Sequence, residues 1–287
     1  MKRLVFAAAP VSVCLTVSAM AADLGVRPMP VKAAPAPIVF SWTGFYVGGN
    51  AGWIGSENSI SNDVIPTPDA ALGVVSGVSE GLAALSTGSV SAGHKSGFIG
   101  GGQVGYNFQI NNWRAGVEAD FQGIGGLKGS GSITTPSGGT VVVGVPVTST
   151  LSGTTDTRWL GTVRGRLGFL PTPTVLLYGT GGLAYGDVTA STSLAQSGTN
   201  GFAGGGAGSF SETRAGWTAG GGIEWMFVQN WTAKVEYLHY DLGTGSFSWT
   251  ALGTPTSPFF SGVVYQTETT SVHFRGDIVR AGLKYKF

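Results

Sequence analysis

An all-β chain, folded as an eight-stranded antiparallel up-and-down transmembrane β-barrel with short periplasmic turns and long extracellular loops, is the expectation raised by three features of this sequence. The first is composition. Of 287 residues, 49 are glycine and only 11% are charged, against about 7% and about 25% in ordinary soluble domains. The second is a period-2 alternation of apolar and polar residues that recurs in eight segments; a strand places successive side chains on opposite faces. The third is that the connections between segments alternate between short and long, as turns and loops on opposite sides of a membrane do. The glycines follow no G-X-Y period, which excludes collagen, and 42% hydrophobic with 11% aromatic residues argues against disorder. A net charge of +1 leaves no basic footprint for nucleic acid.

Residues 1–21 read as a secretory signal peptide: Lys2 and Arg3 precede an apolar run from Leu4 to Val17, and Ala19-Met20-Ala21 is a small-x-small cleavage site. The run is short for the roughly 20 residues of a spanning helix. Val13 before Cys14 lacks the small residue expected of a lipoprotein anchor. Cleavage after Ala21 removes the single cysteine, Lys2 and Arg3, leaving 14 basic and 15 acidic residues, so a disulfide framework or thiolate metal site is excluded. Residues 22–41, with Pro28, Pro30, Pro35 and Pro37, read as an extended periplasmic linker. The barrel is expected over 42–287.

The strands follow in order. Phe45, Val47, Gly49, Ala51 and Trp53 oppose Tyr46, Gly48 and Asn50. Phe98, Val104, Tyr106 and Phe108 oppose Gln103 and Asn107. Trp113, Ala115, Val117, Ala119 and Phe121 oppose Arg114, Glu118 and Asp120. Trp159, Val163, Leu167 and Phe169 oppose Arg158, Thr162, Arg164 and Arg166. Val175, Leu177, Leu183 and Tyr185 oppose Tyr178, Thr180 and Ala184. Trp217, Ala219, Ile223, Trp225 and Phe227 oppose Arg214, Thr218 and Glu224. Trp231, Ala233, Val235 and Tyr237 oppose Thr232, Lys234 and Glu236. Finally, Val279, Ala281, Leu283, Tyr285 and Phe287 oppose Arg280, Gly282, Lys284 and Lys286. Each segment is close to the 9–11 residues with which a tilted strand crosses a bilayer.

Short connections are expected at Ile110–Asn112, Leu170–Pro173 and Val228–Asn230. Long loops are expected at Gly55–His94, Ile124–Thr155, Val188–Ser211 and Thr244–Val272. Aromatic residues gather at both ends of the segments. Phe108, Trp113, Phe169, Trp225, Phe227, Trp231, Tyr285 and Phe287 lie beside the short turns, and Trp53, Trp159, Tyr185, Trp217 and Tyr237 near the long loops, as two interfacial belts require.

Three stretches carry a family pattern: Trp42-Thr43-Gly44-Phe45-Tyr46-Val47-Gly48-Gly49-Asn50-Ala51-Gly52, Tyr178-Gly179-Thr180-Gly181-Gly182-Leu183-Ala184-Tyr185-Gly186 and the terminal Tyr285-Lys286-Phe287. They resemble the small outer-membrane β-barrel proteins of alphaproteobacteria, OmpA-like in the barrel and often labelled porin family, over nearly all of the mature chain. The resemblance implies a cell outer-membrane location, with outer-membrane lipid as the surrounding partner. It also implies that Tyr285 and Phe287 form an assembly signal read by the barrel-assembly machinery. Some relatives bind haemin at the cell surface and others are structural or immunogenic surface proteins, which makes haemin and host surface molecules candidate partners. No peptidoglycan-binding domain is expected after Phe287.

A barrel of eight strands has an interior only wide enough for its own side chains. The alternation assigns to it Glu118, Asp120, Glu224 and Glu236 with Arg114, Arg164, Arg166, Lys234, Arg280 and Lys284. Charges in so narrow a space are costly unless paired, so a salt-bridged plug is expected, with a narrow anion-preferring pore as the alternative.

Gly100–Gly105 matches GxGxxG, but without a following helix it makes no dinucleotide site. Gly77-Val78-Ser79-Glu80-Gly81 matches a nucleophile elbow without the strand-to-helix turn that motif needs. Pro68–Leu85 could form a short helix weakened by Gly73, Gly77 and Gly81. The three histidines, His94, His239 and His273, fall towards the outer rim. Histidine ligates haem iron, so they are the candidate haemin site, with ordinary rim residues as the plain alternative. Ser271 near His273 is the only hint of a lipid-modifying enzyme. The expectation is a non-enzymatic envelope protein that presents its loops, with no catalytic residues and no metal site.

Overall fold

The computed structural model describes residues 40–68, 77–137, 146–199, 201–254 and 263–287. The expected signal peptide and nearly all of the expected linker lie outside the described residues, as does the Pro68–Leu85 helix over residues 69–76. The elements are β1 (Gly44–Pro66), α1 (Val78–Ser86), β2 (Gly88–Ile110), β3 (Trp113–Gly125), β4 (Lys128–Pro136), β5 (Val147–Thr172), β6 (Val175–Gly198), β7 (Ala203–Val228), β8 (Trp231–Thr254) and β9 (Val264–Lys286). Every neighbouring pair is antiparallel, in the order β3-β2-β1-β9-β8-β7-β6-β5-β4. A further ladder between β3 and β5 closes eight of the strands into a ring.

The three tight turns fall where the short connections were expected. Two of them use asparagine in the left-handed region, Asn111 at φ 52° and Asn230 at φ 75°, a conformation that asparagine tolerates better than most residues. Within the ring the apolar face points outward. Phe45, Trp113, Val117, Leu167, Ile223, Val235 and Leu283 are exposed, whereas Glu118, Arg164, Glu224, Lys234 and Arg280 are buried. Ring pairs mark both interfaces. Phe45–Tyr106, Trp113–Phe169 and Trp231–Tyr285 meet at 4.7, 5.5 and 5.2 Å at the turn end, and Phe121–Trp159 and Trp159–Tyr185 at 5.3 and 6.0 Å at the other. Glycine makes room inside for two tyrosines: a Cβ at Gly105 or Gly222 would collide with the Tyr46 or Tyr178 ring across the strand.

The long loops are a correction. Much of the chain expected to be loop is strand, and the strands are far longer than the expected 9–11 residues: 23 in β1 and 26 in β5 and β7. At about 3.3 Å per residue, β1 runs for roughly 75 Å, much further than a tilted strand needs to cross an apolar band of about 25 Å. The expected second loop also contains β4, which pairs along the extension of β5.

Above the outer ring of aromatics the side-chain pattern reverses. In β9, Val279, Ala281 and Leu283 face lipid while Arg280 and Lys284 face the lumen; further out, Val272, Phe274 and Ile278 are buried while His273, Arg275 and Asp277 point outward. The period stays 2; the apolar residues change face. The outward positions there are largely hydroxyls that bond across strands, such as Thr154–Ser191 at 2.6 Å and Ser248–Thr269 at 3.1 Å.

Many of the inward ones join in one core. It includes Ile54, Ile60, Val90, Ile99, Leu151, Leu160, Val188, Leu238, Tyr240, Trp249, Val272, Phe274 and Ile278. Here the ring splits. Among the described residues no ladder joins β2 to β4, and the β7–β8 ladder is interrupted between Gly205 and Trp217. The outer half is therefore sandwich-like, with two four-stranded faces, β4-β5-β6-β7 and β8-β9-β1-β2, that rejoin at the tip where Ala203–Gly205 pair with Leu252–Thr254 and apolar side chains between them. The β7–β8 gap is filled by Phe210 against Phe247 at 5.2 Å and crossed by Arg214, which donates to the Leu242 and Thr244 carbonyls at 3.3 and 2.6 Å.

Candidate functional site

The lumen of the ring is the candidate site, because it collects charge where charge is most costly. Arg164, on β5, is its hub. One guanidinium nitrogen reaches Glu118 at 2.7 Å and Asp120 at 2.9 Å, both on β3, and another reaches Glu236 on β8 at 3.1 Å. Arg280, on β9, joins Asp120 at 2.8 Å to Glu236 at 2.6 Å. Lys234 lies between Glu118 at 3.1 Å and Glu236 at 3.3 Å. Glu224 takes Arg114 at 2.9 Å and also pairs with Arg166 and Lys284. All ten residues that the alternation assigned to the lumen meet in this one network, six cations against four carboxylates.

Residues that the sequence reading did not single out as site residues complete it. The Tyr46 hydroxyl donates to Glu118 at 2.7 Å and that of Tyr178 to Glu236 at 2.9 Å, while the Arg166 guanidinium stacks 3.9 Å from the Tyr178 ring centre. Glu118 and Glu236 thereby gain hydrogen bonds beyond their ion pairs, the condition under which buried charge is tolerated.

The lumen is also blocked above and below. On the turn side Trp42 packs with Leu170, Leu176, Tyr178 and Met226, its indole donating to the Pro173 carbonyl at 3.0 Å, with the Arg114 guanidinium 4.8 Å from its ring centre. On the outer side lies the sandwich core. At the outer end α1 packs Val78 and Leu82 against Val147, Phe202 and Val264. A helix leaves its last carbonyls without intrahelical partners, and amides from the wall take them up. Asn62 donates to the terminal Ser86 carbonyl at 3.2 Å, and Gln196 reaches the Leu82 carbonyl one turn further back at 3.2 Å.

The other sequence-derived candidates are dispersed. His94, His239 and His273 lie on the outward face of one wall, each beside its own carboxylate: Glu57 at 3.2 Å, Asp277 at 2.9 Å and Asp241 at 3.3 Å. Hydrogen bonds from Tyr237 and His239 hold the Asp277 carboxyl below its ordinary range, against a smaller contrary effect of burial. The hydroxyl at His273 is that of Thr244, at 2.9 Å, rather than that of Ser271. Among the described residues no group of three or more His, Cys, Asp or Glu is placed to hold a metal ion. Gly100–Gly105 lies within β2, and Ser79 of the elbow match is buried in the first turn of α1. Tyr285 and Phe287 sit edge to face at 5.3 Å, with Phe287 70% exposed.

The family model described as the outer membrane protein beta-barrel domain matches residues 9–287. A 31 kDa outer-membrane immunogenic protein of Brucella melitensis biotype 1 is 36% identical over 290 residues, covering 97% of this chain and 98% of that protein. A 22 kDa outer membrane protein of Rhizobium leguminosarum bv. viciae is 32% identical over 230 residues, covering 76% and 75%. Among solved structures, Neisserial surface protein A aligns over 85% of this chain and 98% of its own, at 15% identity and a TM-score of 0.33.

Proposed function

Given that this chain belongs to the outer membrane protein beta-barrel domain family, we propose that it is a non-enzymatic, non-conducting envelope protein that anchors a rigid β-sandwich at the cell surface. Its residence in the outer membrane follows from the family and from the lipid-facing apolar band. The observation that carries the proposal is the lumen. Arg164, Glu118, Asp120, Glu236 and Arg280 have side chains with no solvent exposure, between Trp42 below and the sandwich core above. An ion entering from either side would have to break hydrogen-bonded ion pairs in a space already filled by side chains.

The test is electrical. Refolded protein inserted into planar bilayers is expected to leave the current at baseline, and reproducible single-channel steps would refute the plug. We assign the three histidines to contacts with neighbouring carboxylates at the rim. On that reading a haemin titration produces the same absorbance spectrum for the wild type and for a variant with His94, His239 and His273 all replaced by alanine. A Soret shift lost in that variant would restore them as haem ligands. The outer-membrane lipids of wild-type and deletion strains are likewise expected to have identical acylation.

A further inference from the structure

Glu268, on the outer part of β9, is 0% exposed, and no cation pairs with it among the described residues. It lies eleven residues beyond Val279, well outside the membrane-spanning part of its strand. One carboxylate oxygen accepts from the Asn62 side-chain amide at 2.5 Å, and the other has no hydrogen-bond partner. The same Asn62 nitrogen donates to the Ser86 carbonyl at the C-terminal end of α1. Asn62 is fixed in turn by the Thr270 hydroxyl at 2.8 Å, which accepts from the Trp249 indole at 3.0 Å.

A carboxylate and a helix C-terminus thus share one donor group. Both are electron-rich, and negative charge at a helix C-terminus is unfavourable. The side chains that β1, β5, β6, β8, β9 and α1 turn into this compartment are apolar, hydroxyl or amide. Among the described residues, Asp63 on β1, Glu80 on α1 and Lys128 on the neighbouring β4 carry charge but are exposed. Among the described residues nothing there compensates an ionised Glu268.

We propose that α1 is a pH-operated cap on the outer end of the barrel, held down while Glu268 is protonated and loosened when it ionises. A protonated carboxyl sets no charge beside the Ser86 carbonyl and gains a proton to donate. An ionised one, sharing the two-hydrogen Asn62 amide with the Ser86 carbonyl, sets a full negative charge beside the end of the helix and repels it. Burial pushes the Glu268 carboxyl up from 4.5 to about 7, with the Asn62 hydrogen bond opposing more weakly. A raised value means that the closed state binds the proton more tightly than the open one. The cap is therefore most stable below the ordinary glutamate range and loses stability as pH rises through about 7. The proposal is independent of whether the barrel conducts.

Hydrogen exchange of the amides in residues 77–87, corrected for the intrinsic pH dependence of exchange, tests it on the full chain refolded in detergent micelles. Between about pH 5 and about pH 8 the opening equilibrium of α1 is expected to rise on the order of a hundredfold, with its midpoint near 7. E268Q, which cannot ionise, is expected to retain the protection seen at low pH throughout. Wild-type protection that does not change with pH, or an E268Q profile that follows the wild type, overturns the proposal. Should E268Q not refold, the wild-type midpoint decides: a value near 7 supports the cap, and one near the ordinary glutamate value rejects it.

Discussion

Arg164 illustrates how much rests on a single side chain. It contacts Glu118, Asp120 and Glu236 at once, so Arg164→Leu leaves three carboxylates short of a partner. Removing one member of a buried ion pair typically costs about 3–5 kcal/mol, and urea unfolding of the refolded barrel is expected to show a loss of that order. Arg158→Leu, which removes a largely exposed cation paired with Asp187 at 2.5 Å, is expected to change stability by less than about 1 kcal/mol. The ten lumen charges were legible because each occupies an alternate position in an apolar segment. Glu268 was not. It lies among Gln266, Thr267, Thr269 and Thr270, a stretch that reads as a polar loop, and only the pairing of β9 with β1 and β8 turns it inward.

At the scale of the strand, the reversal of the apolar face makes a paired prediction. Val117 lies midway between Trp113 and Phe121 on the lipid face, so Val117→Arg is expected to destabilise the protein by about 2–4 kcal/mol in vesicles. Ser271 points outward on β9 beyond the membrane, where arginine is expected to change stability by less than about 0.5 kcal/mol. Equal effects would mean that the aromatic rings do not mark the interfaces. The eight crossings could be read because lipid imposes one polarity on all of them. The sandwich could not, since its outward hydroxyls and inward aliphatics, such as Ser271 beside Val272, are too weakly amphipathic to stand out without knowledge of where the membrane ends. Phe287 makes a prediction of another kind. Its ring is exposed just past the last strand; if it belongs to the assembly signal that the family resemblance implies, Phe287→Ser is expected to lower the amount of barrel inserted in cells, by heat-modified gel mobility, without changing the unfolding midpoint of refolded protein.

The whole molecule combines two folding regimes in one continuous set of strands. The inner half is polar inside and apolar outside; the outer half is the reverse. Hydrogen bonding continues along the strands across that boundary, so neither half is a separate module of sequence, and distortion of one sheet passes into the other. Sequence reading reached the membrane half almost entirely and treated most of the remainder as loops, because hydrophobic alternation alone does not say which face is meant to be wet.

The hydroxyl rungs of the outer wall bear on how antibodies would see the protein. Ser248 and Thr269, or Thr189 and Ser211, are neighbours in space though 21 and 22 residues apart along the chain. A surface built this way presents discontinuous epitopes that no short peptide reproduces. Serum raised against the folded barrel is expected to lose most of its titre against boiled antigen, and a titre that survives boiling would place recognition on linear stretches instead.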